Sequence, residues 1–135
     1  MVSRGLLVEL DAVAGKDAEV EEFLVSALPL VRKETATEAW FALRFGRGQY
    51  GIFDVFPDDA GLDAHLAGPV ALALERRAGA LLAVVPRIRR LNVLASKLPA
   101  TALTGPDSRG LLLTFAAKKG CAWRRSFVSS RSRST

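Results

Sequence analysis

The stretch that most restricts what this chain can fold into runs from Gln49 to Leu66, QYGIFDVFPDDAGLDAHL. Tyr50, Ile52, Phe53, Val55 and Phe56 put five bulky apolar residues into seven positions, the composition of a strand buried on both faces. Pro57 removes a ladder donor and ends the strand, and Asp58 or Asp59 is placed to cap a following helix by accepting its orphan N–H groups. His65, the single histidine of the chain, falls one to two turns into that helix.

The elements around this strand follow in a regular order. Gly5 to Ala12 reads as a short first strand, closed by the turn residues Gly15 and Asp17. From Asp17 to about Lys33, Val20, Phe23, Leu24, Ala27, Leu28 and Val31 recur at helical spacing, with Glu19, Glu21 and Glu22 where the helix dipole favours acids. Pro29 should bend this helix and splay its last turn, opening a cavity. Glu38 to Phe45 is a second strand, joined to the Tyr50 strand by a turn containing Gly46, Arg47 and Gly48. Two registers suit that hairpin: a two-residue Arg47-Gly48 loop sets Trp40 opposite Val55, and one more loop residue sets it opposite Phe56.

After the acidic cap, Leu62, Leu66, Val70, Ala73 and Leu74 form the stripe of a second helix lasting to about Ala83, restarted at Gly68-Pro69. A last strand is placed at Arg89 to Ala95. The order βαββαβ predicts an α+β fold, a ferredoxin-like sandwich with a four-stranded antiparallel sheet and the helices on one face. Strands apolar on both sides cannot leave the other face in water, so a homodimer formed through that face is expected.

Charge and composition then exclude several function classes. The net charge of +5 suggests nucleic acid until it is divided: residues 1–100 hold 12 Lys and Arg against 13 Asp and Glu, and residues 101–135 hold 7 against 1. The folded body, residues 1–99, is thus nearly neutral, and the basic excess belongs to an extension, residues 100–135, expected to be disordered over Ser126 to Thr135. RGQYGIFDVF has some likeness to an RNA-binding strand signature, but no alignment puts aromatics at both stacking positions and LLVEL lacks the third, so no nucleic acid is expected. One cysteine, Cys121, suits a reducing compartment, and no apolar run approaches a membrane span, so a soluble cytoplasmic protein is expected. There is no zinc-spaced His/Cys cluster, no phosphate-binding glycine loop and no GxSxG elbow, hence no metal site and no serine hydrolase.

The residues left to carry chemistry are few. His65 lies about 60° from Leu62 on a helical wheel, at the margin of the apolar stripe. A lone histidine there is commonly a packed residue, and the same place suits a proton carrier. Trp40, Tyr50, Phe53 and Phe56 either wall an aromatic pocket for a substrate or fill the core. Asp54, a carboxylate inside a buried strand, needs a partner or a cavity, and Arg44 on the neighbouring strand is a candidate partner. If His65 opens onto a mainly apolar pocket, desolvation should lower its pKa, with Asp54 within reach opposing that shift.

GKDAEVEEFLVSALPLV, EAWFALRF, YGIFDVFPDDAGLDAHLAGPVALAL and LNVLASKLP together resemble the antibiotic biosynthesis monooxygenase-like family, dimeric α+β barrel proteins that include small quinol monooxygenases. The resemblance spans about residues 4 to 99. It implies that two ferredoxin-like sheets pair into a barrel, and that a phenolic or quinol substrate reacts with dioxygen without metal, flavin or other cofactor. By position, His65 matches the family's helix histidine, Asp54 an acidic strand position and Phe56 an aromatic one, which makes His65 and Asp54 the catalytic candidates. The first strand lacks the Asn of the haem-degrading branch, and haem chemistry is not expected. The alternative reading is a non-catalytic dimeric barrel that binds a small apolar ligand or a protein partner.

Overall fold

The computed structural model describes residues 1–99 and 108–118, and the chain divides into two units, residues 1–100 and 101–135. The first unit runs β1 (Arg4–Asp11), α1 (Asp17–Val31), β2 (Ala39–Gly46), β3 (Gln49–Phe56), α2 (Asp59–Leu66), α3 (Pro69–Leu81) and β4 (Arg87–Asn92). The sheet order is β2-β3-β1-β4 with every neighbouring pair antiparallel, the α+β sandwich that the element order predicts. β3 is central, paired to β1 on one side and to β2 on the other.

Local chemistry accounts for the element boundaries. Of the two candidate aspartates it is Asp58 that caps α2, its side chain accepting the Gly61 N–H at 2.9 Å. Gly68 is the N-cap of α3 and Pro69 its first residue, so the glycine-proline pair divides the second helix in two. β4 starts two residues earlier than expected and ends at Asn92.

Pro29 does not splay the last turn of α1. The helix continues through it to Val31, Arg32 N–H bonds to the Leu28 carbonyl at 3.0 Å, and Ala27 and Val31 stay buried against Val70. The acceptor that the proline leaves unpaired belongs to Val25, an exposed residue whose carbonyl water can serve.

The hairpin takes neither expected register. Gly46 pairs with Gln49 across the two-residue loop, but a bulge at Phe45 shifts the remaining ladder by one, so Trp40 stands opposite Asp54 and Phe41 opposite Phe53. On the sheet face toward the helices, Leu10, Val8, Tyr50 and Ile52 join Val20, Phe23 and Leu24 in the main core, and Leu6, Phe56 and Leu62 form a smaller one. On the opposite face Phe41 and Phe53 stack with centroids 6.4 Å apart, and the Phe45 ring lies over Gly51, where a Cβ would come within 2.7 Å of it. Phe41 and Phe45 are both exposed.

In the second unit, residues 108–118 form no helix or strand, and Leu111, Leu112, Leu113 and Phe115 are exposed. The expectation for Ser126 to Thr135 lies outside the described residues. Among the described residues, no helix is long and apolar enough to cross a membrane.

Candidate active site

Three elements bring three titratable groups together. Asp54 points from β3 toward the helices because its register partner on β1 is Leu6, a core residue of that face. His65 enters from the last turn of α2, where the helix dipole favours a cation. Glu34 comes from the turn after α1, which Glu34 N–H closes on the Val31 carbonyl at 2.9 Å.

His65 Nδ1 lies 2.6 Å from Glu34 Oε2, and its Nε2 lies 2.9 Å from Asp54 Oδ2. The two contacts are not equivalent. The Glu34 contact is a hydrogen bond, and Thr37 Oγ1 donates to the same carboxylate oxygen at 2.8 Å. The Asp54 contact is close but less well aligned: the ring nitrogen lies within hydrogen-bond distance of Oδ2 without good linear geometry, and no other donor reaches either oxygen, although the residue is 0% exposed. When His65 is protonated the contact is an ion pair in which the Nε2–H passes beside the carboxylate.

The electrostatics follow from this enclosure. Burial works against the imidazolium, yet the two flanking carboxylates outweigh it and raise the His65 pKa above 6.5, the reverse of the lowering expected for an apolar pocket. Burial also lifts the Asp54 carboxyl above 3.8; the nearby imidazole offsets part of that rise and the Glu34 charge adds to it. Among the described residues no group of His, Cys, Asp and Glu is arranged to hold a metal ion.

His65, 8% exposed, forms part of the wall of a cavity of about 660 Å³ between the sheet and α2 and α3. Leu6, Val8 and Ile52 supply its sheet side, Leu66, Leu74 and Ala78 its helix side, and Val84, Val85 and Pro86 its rim. Glu75 is the one other ionisable group in the lining. The walls are aliphatic where the sequence suggested aromatics. Phe56 touches the site from behind, its ring centroid 5.2 Å from that of His65. Trp40 packs on the core near Val31, Tyr50 is buried with its hydroxyl toward α1, and Phe53 stacks on the outer face. None of the four lines the cavity.

The structure thus joins His65 and Asp54 and separates both from Arg44, which stands opposite Tyr50 with Nε 3.9 Å from Glu21. The side chain that sequence reasoning missed is Glu34. It lies in a turn, outside any apolar periodicity, and only its place just past the end of α1 hinted at it.

No family model and no curated protein matches the sequence. Among solved structures, a protein of unknown function from Nitrosomonas europaea is 48% identical, with a TM-score of 0.73, over 75% of this chain and 98% of that one. The chain belongs to the same family as that protein. A Pseudomonas aeruginosa protein is 23% identical with a TM-score of 0.61, over 70% of this chain and 97% of that one. A Caulobacter crescentus protein with the working name antibiotic biosynthesis monooxygenase is 20% identical with a TM-score of 0.61, over 70% of this chain and 92% of that one. The fold of this family is therefore the antibiotic biosynthesis monooxygenase-like fold.

Proposed function

We propose that this protein is a monooxygenase that oxidises a small phenolic or quinol substrate with dioxygen, using no metal or flavin. The observation that carries the reading is a buried imidazole, flanked by two carboxylates, set in the wall of an aliphatic cavity large enough for a ring-sized ligand. In its uncharged form His65 takes the phenolic proton, and Asp54 holds the resulting imidazolium by charge. The electron-rich anion supplies the electrons to dioxygen: one oxygen atom enters the ring, the other leaves as water, and a quinol becomes a hydroxyquinone. Walls of Leu, Val and Ile present little polar surface to the anion.

A base that works uncharged needs a pH above its raised pKa, so oxygen uptake should climb with pH through a midpoint above 6.5. Oxygen-electrode measurements against a panel of hydroquinones, across that range, test the reading directly. Binding of the same compounds without any uptake would instead establish a non-catalytic barrel for apolar ligands, a reading favoured by the lack of aromatics in the lining.

The stacked pair Phe41 and Phe53, with Phe45 beside them, supports a homodimer through the outer sheet face. Light scattering at micromolar concentration should give twice the chain mass, and Phe41→Asp should return the monomer; a monomeric wild type ends the dimer proposal.

A further inference from the structure

His65 borders two cavities. Besides the aliphatic one, a depression of about 250 Å³ is lined by Lys33, Glu34, Thr35, Thr37 and Ala64 as well as by His65. The two differ in chemistry: Lys33, Glu34, Thr35 and Thr37 bring hydroxyls and charges to the smaller beside Ala36, Ala64 and Pro69, whereas the larger is lined almost wholly by hydrocarbon. Glu34 lines the depression beside the imidazole, its Oε2 on Nδ1 at 2.6 Å and steadied by Thr37. Its Oε1 is buried and receives no hydrogen bond, and it sits so near Gly68 that a Cβ there would come within 3.2 Å of it. Asp54, on the opposite side of the ring, lines neither cavity.

We propose that Glu34 is the proton-relay residue of the site: substrate meets His65 from the aliphatic cavity, and protons pass between the ring and the smaller depression through Glu34. When the phenolic O–H bond breaks, its electron pair stays on oxygen and the proton binds Nε2. From the imidazolium that forms beside Asp54 the Nδ1–H bond then breaks, that proton passes to Glu34 Oε2, and Glu34 releases it to water in the depression. The Nε2 proton then goes to the reduced oxygen that leaves as water, and a proton returns from the depression through Glu34 to Nδ1, so the ring regains its starting tautomer and no net proton is lost in a turnover. Asp54 raises the basicity of the ring and has no route to solvent. The groups that face His65 from all sides are Glu34, Asp54, Lys33 across the depression and Glu75 across the cavity.

This inference rests on His65 as the proton-handling group, and its test needs no substrate. In the full-length chain the single histidine gives one imidazole resonance set, so both its titration and the exchange of its ring N–H with water can be followed by NMR. Glu34→Gln should move the titration midpoint to lower pH and slow ring N–H exchange at least about tenfold. Asp54→Asn should lower the midpoint while leaving exchange within about twofold of wild type. Thr37→Val, which frees Oε2 from its hydroxyl partner, should give a smaller slowing and serves if Glu34→Gln does not fold. Exchange unaltered in the Glu34 and Thr37 variants, or slowed equally by Asp54→Asn, would overturn the proposal. Glu34-dependent exchange in a protein that consumes no oxygen would overturn the oxygenase reading and leave this one standing.

Discussion

Tyr50 and Asp54 occupy the same face of β3, 1% and 0% exposed, yet they are supplied with partners in opposite ways. The Tyr50 hydroxyl lies 3.0 Å from Asp17 Oδ2 and 3.2 Å from Glu21 Oε1, and the same Asp17 oxygen accepts the Gly48 N–H at 2.7 Å. The Asp54 carboxylate receives no aligned donor and is balanced by the charge of one imidazole. A buried polar group with its bonds made fixes structure, and here Tyr50 ties the hairpin to the start of α1. A buried carboxylate without them keeps a raised pKa that proton chemistry can use.

The largest expected difference between the two ends is in turnover. His65→Ala should lower oxygen uptake by about 100-fold or more, the scale of a lost general base. Tyr50→Phe should leave uptake unchanged. Equal losses in an oxygen-electrode assay would erase the distinction, and uptake that persists in His65→Ala would remove that residue from the mechanism.

Stability should respond to pH with opposite sign at the two ends. The Gly48 N–H, then the Tyr50 hydroxyl, hold Asp17 below 3.8, so its contribution is present above 3.8 and lost as pH falls through the folded value. Asp54 is raised, so the folded state keeps its proton longer; that contribution is complete below 3.8 and lost as pH rises from there through the folded value. His65, also raised, contributes below 6.5 and loses that contribution as pH climbs through its folded value. Urea midpoints between about pH 3 and about pH 9 should therefore lose much of their decline on the alkaline side in Asp54→Asn and keep their acid limb. A profile identical to wild type would mean that Asp54 and His65 are not coupled.

Most of the fold was legible because its elements declare themselves locally. The apolar run from Tyr50 to Phe56 makes the central strand, Asp58 caps α2, and Pro69 restarts the helix. The position of His65 on a helical wheel was enough to bring it to a cavity edge. Contacts made by turns and bulges were not legible. The bulge at Phe45, whose ring lies over Gly51, moves Trp40 to a partner that loop length alone does not give. Glu34 sits in a turn without periodicity, and its pairing with His65 spans 31 residues of sequence. The aromatic wall failed for a simpler reason: Tyr50 and Phe56 are fully enclosed in their cores, and Phe53 has the other sheet face.

The smallest predicted effect sharpens the comparison most. Tyr50→Phe removes one hydroxyl and keeps the ring, so the packing with Val20, Phe23 and Leu24 survives. The two carboxylates it abandons are not stranded: Asp17 retains the Gly48 N–H, and the Glu21 side chain is 48% exposed, open to water and to Arg44. The phenol, for its part, is pushed up to about 12 by burial first and then by Asp17 and Glu21, so it is a neutral donor at any working pH and no charge is lost with it. The cost should be that of an ordinary net hydrogen bond, about 1 kcal/mol in urea denaturation, with the His65 titration unmoved. A cost above about 3 kcal/mol would exceed a single net hydrogen bond. That cost, or a displaced His65 midpoint, would show that the Tyr50 end and the Asp54 end of β3 are one coupled system.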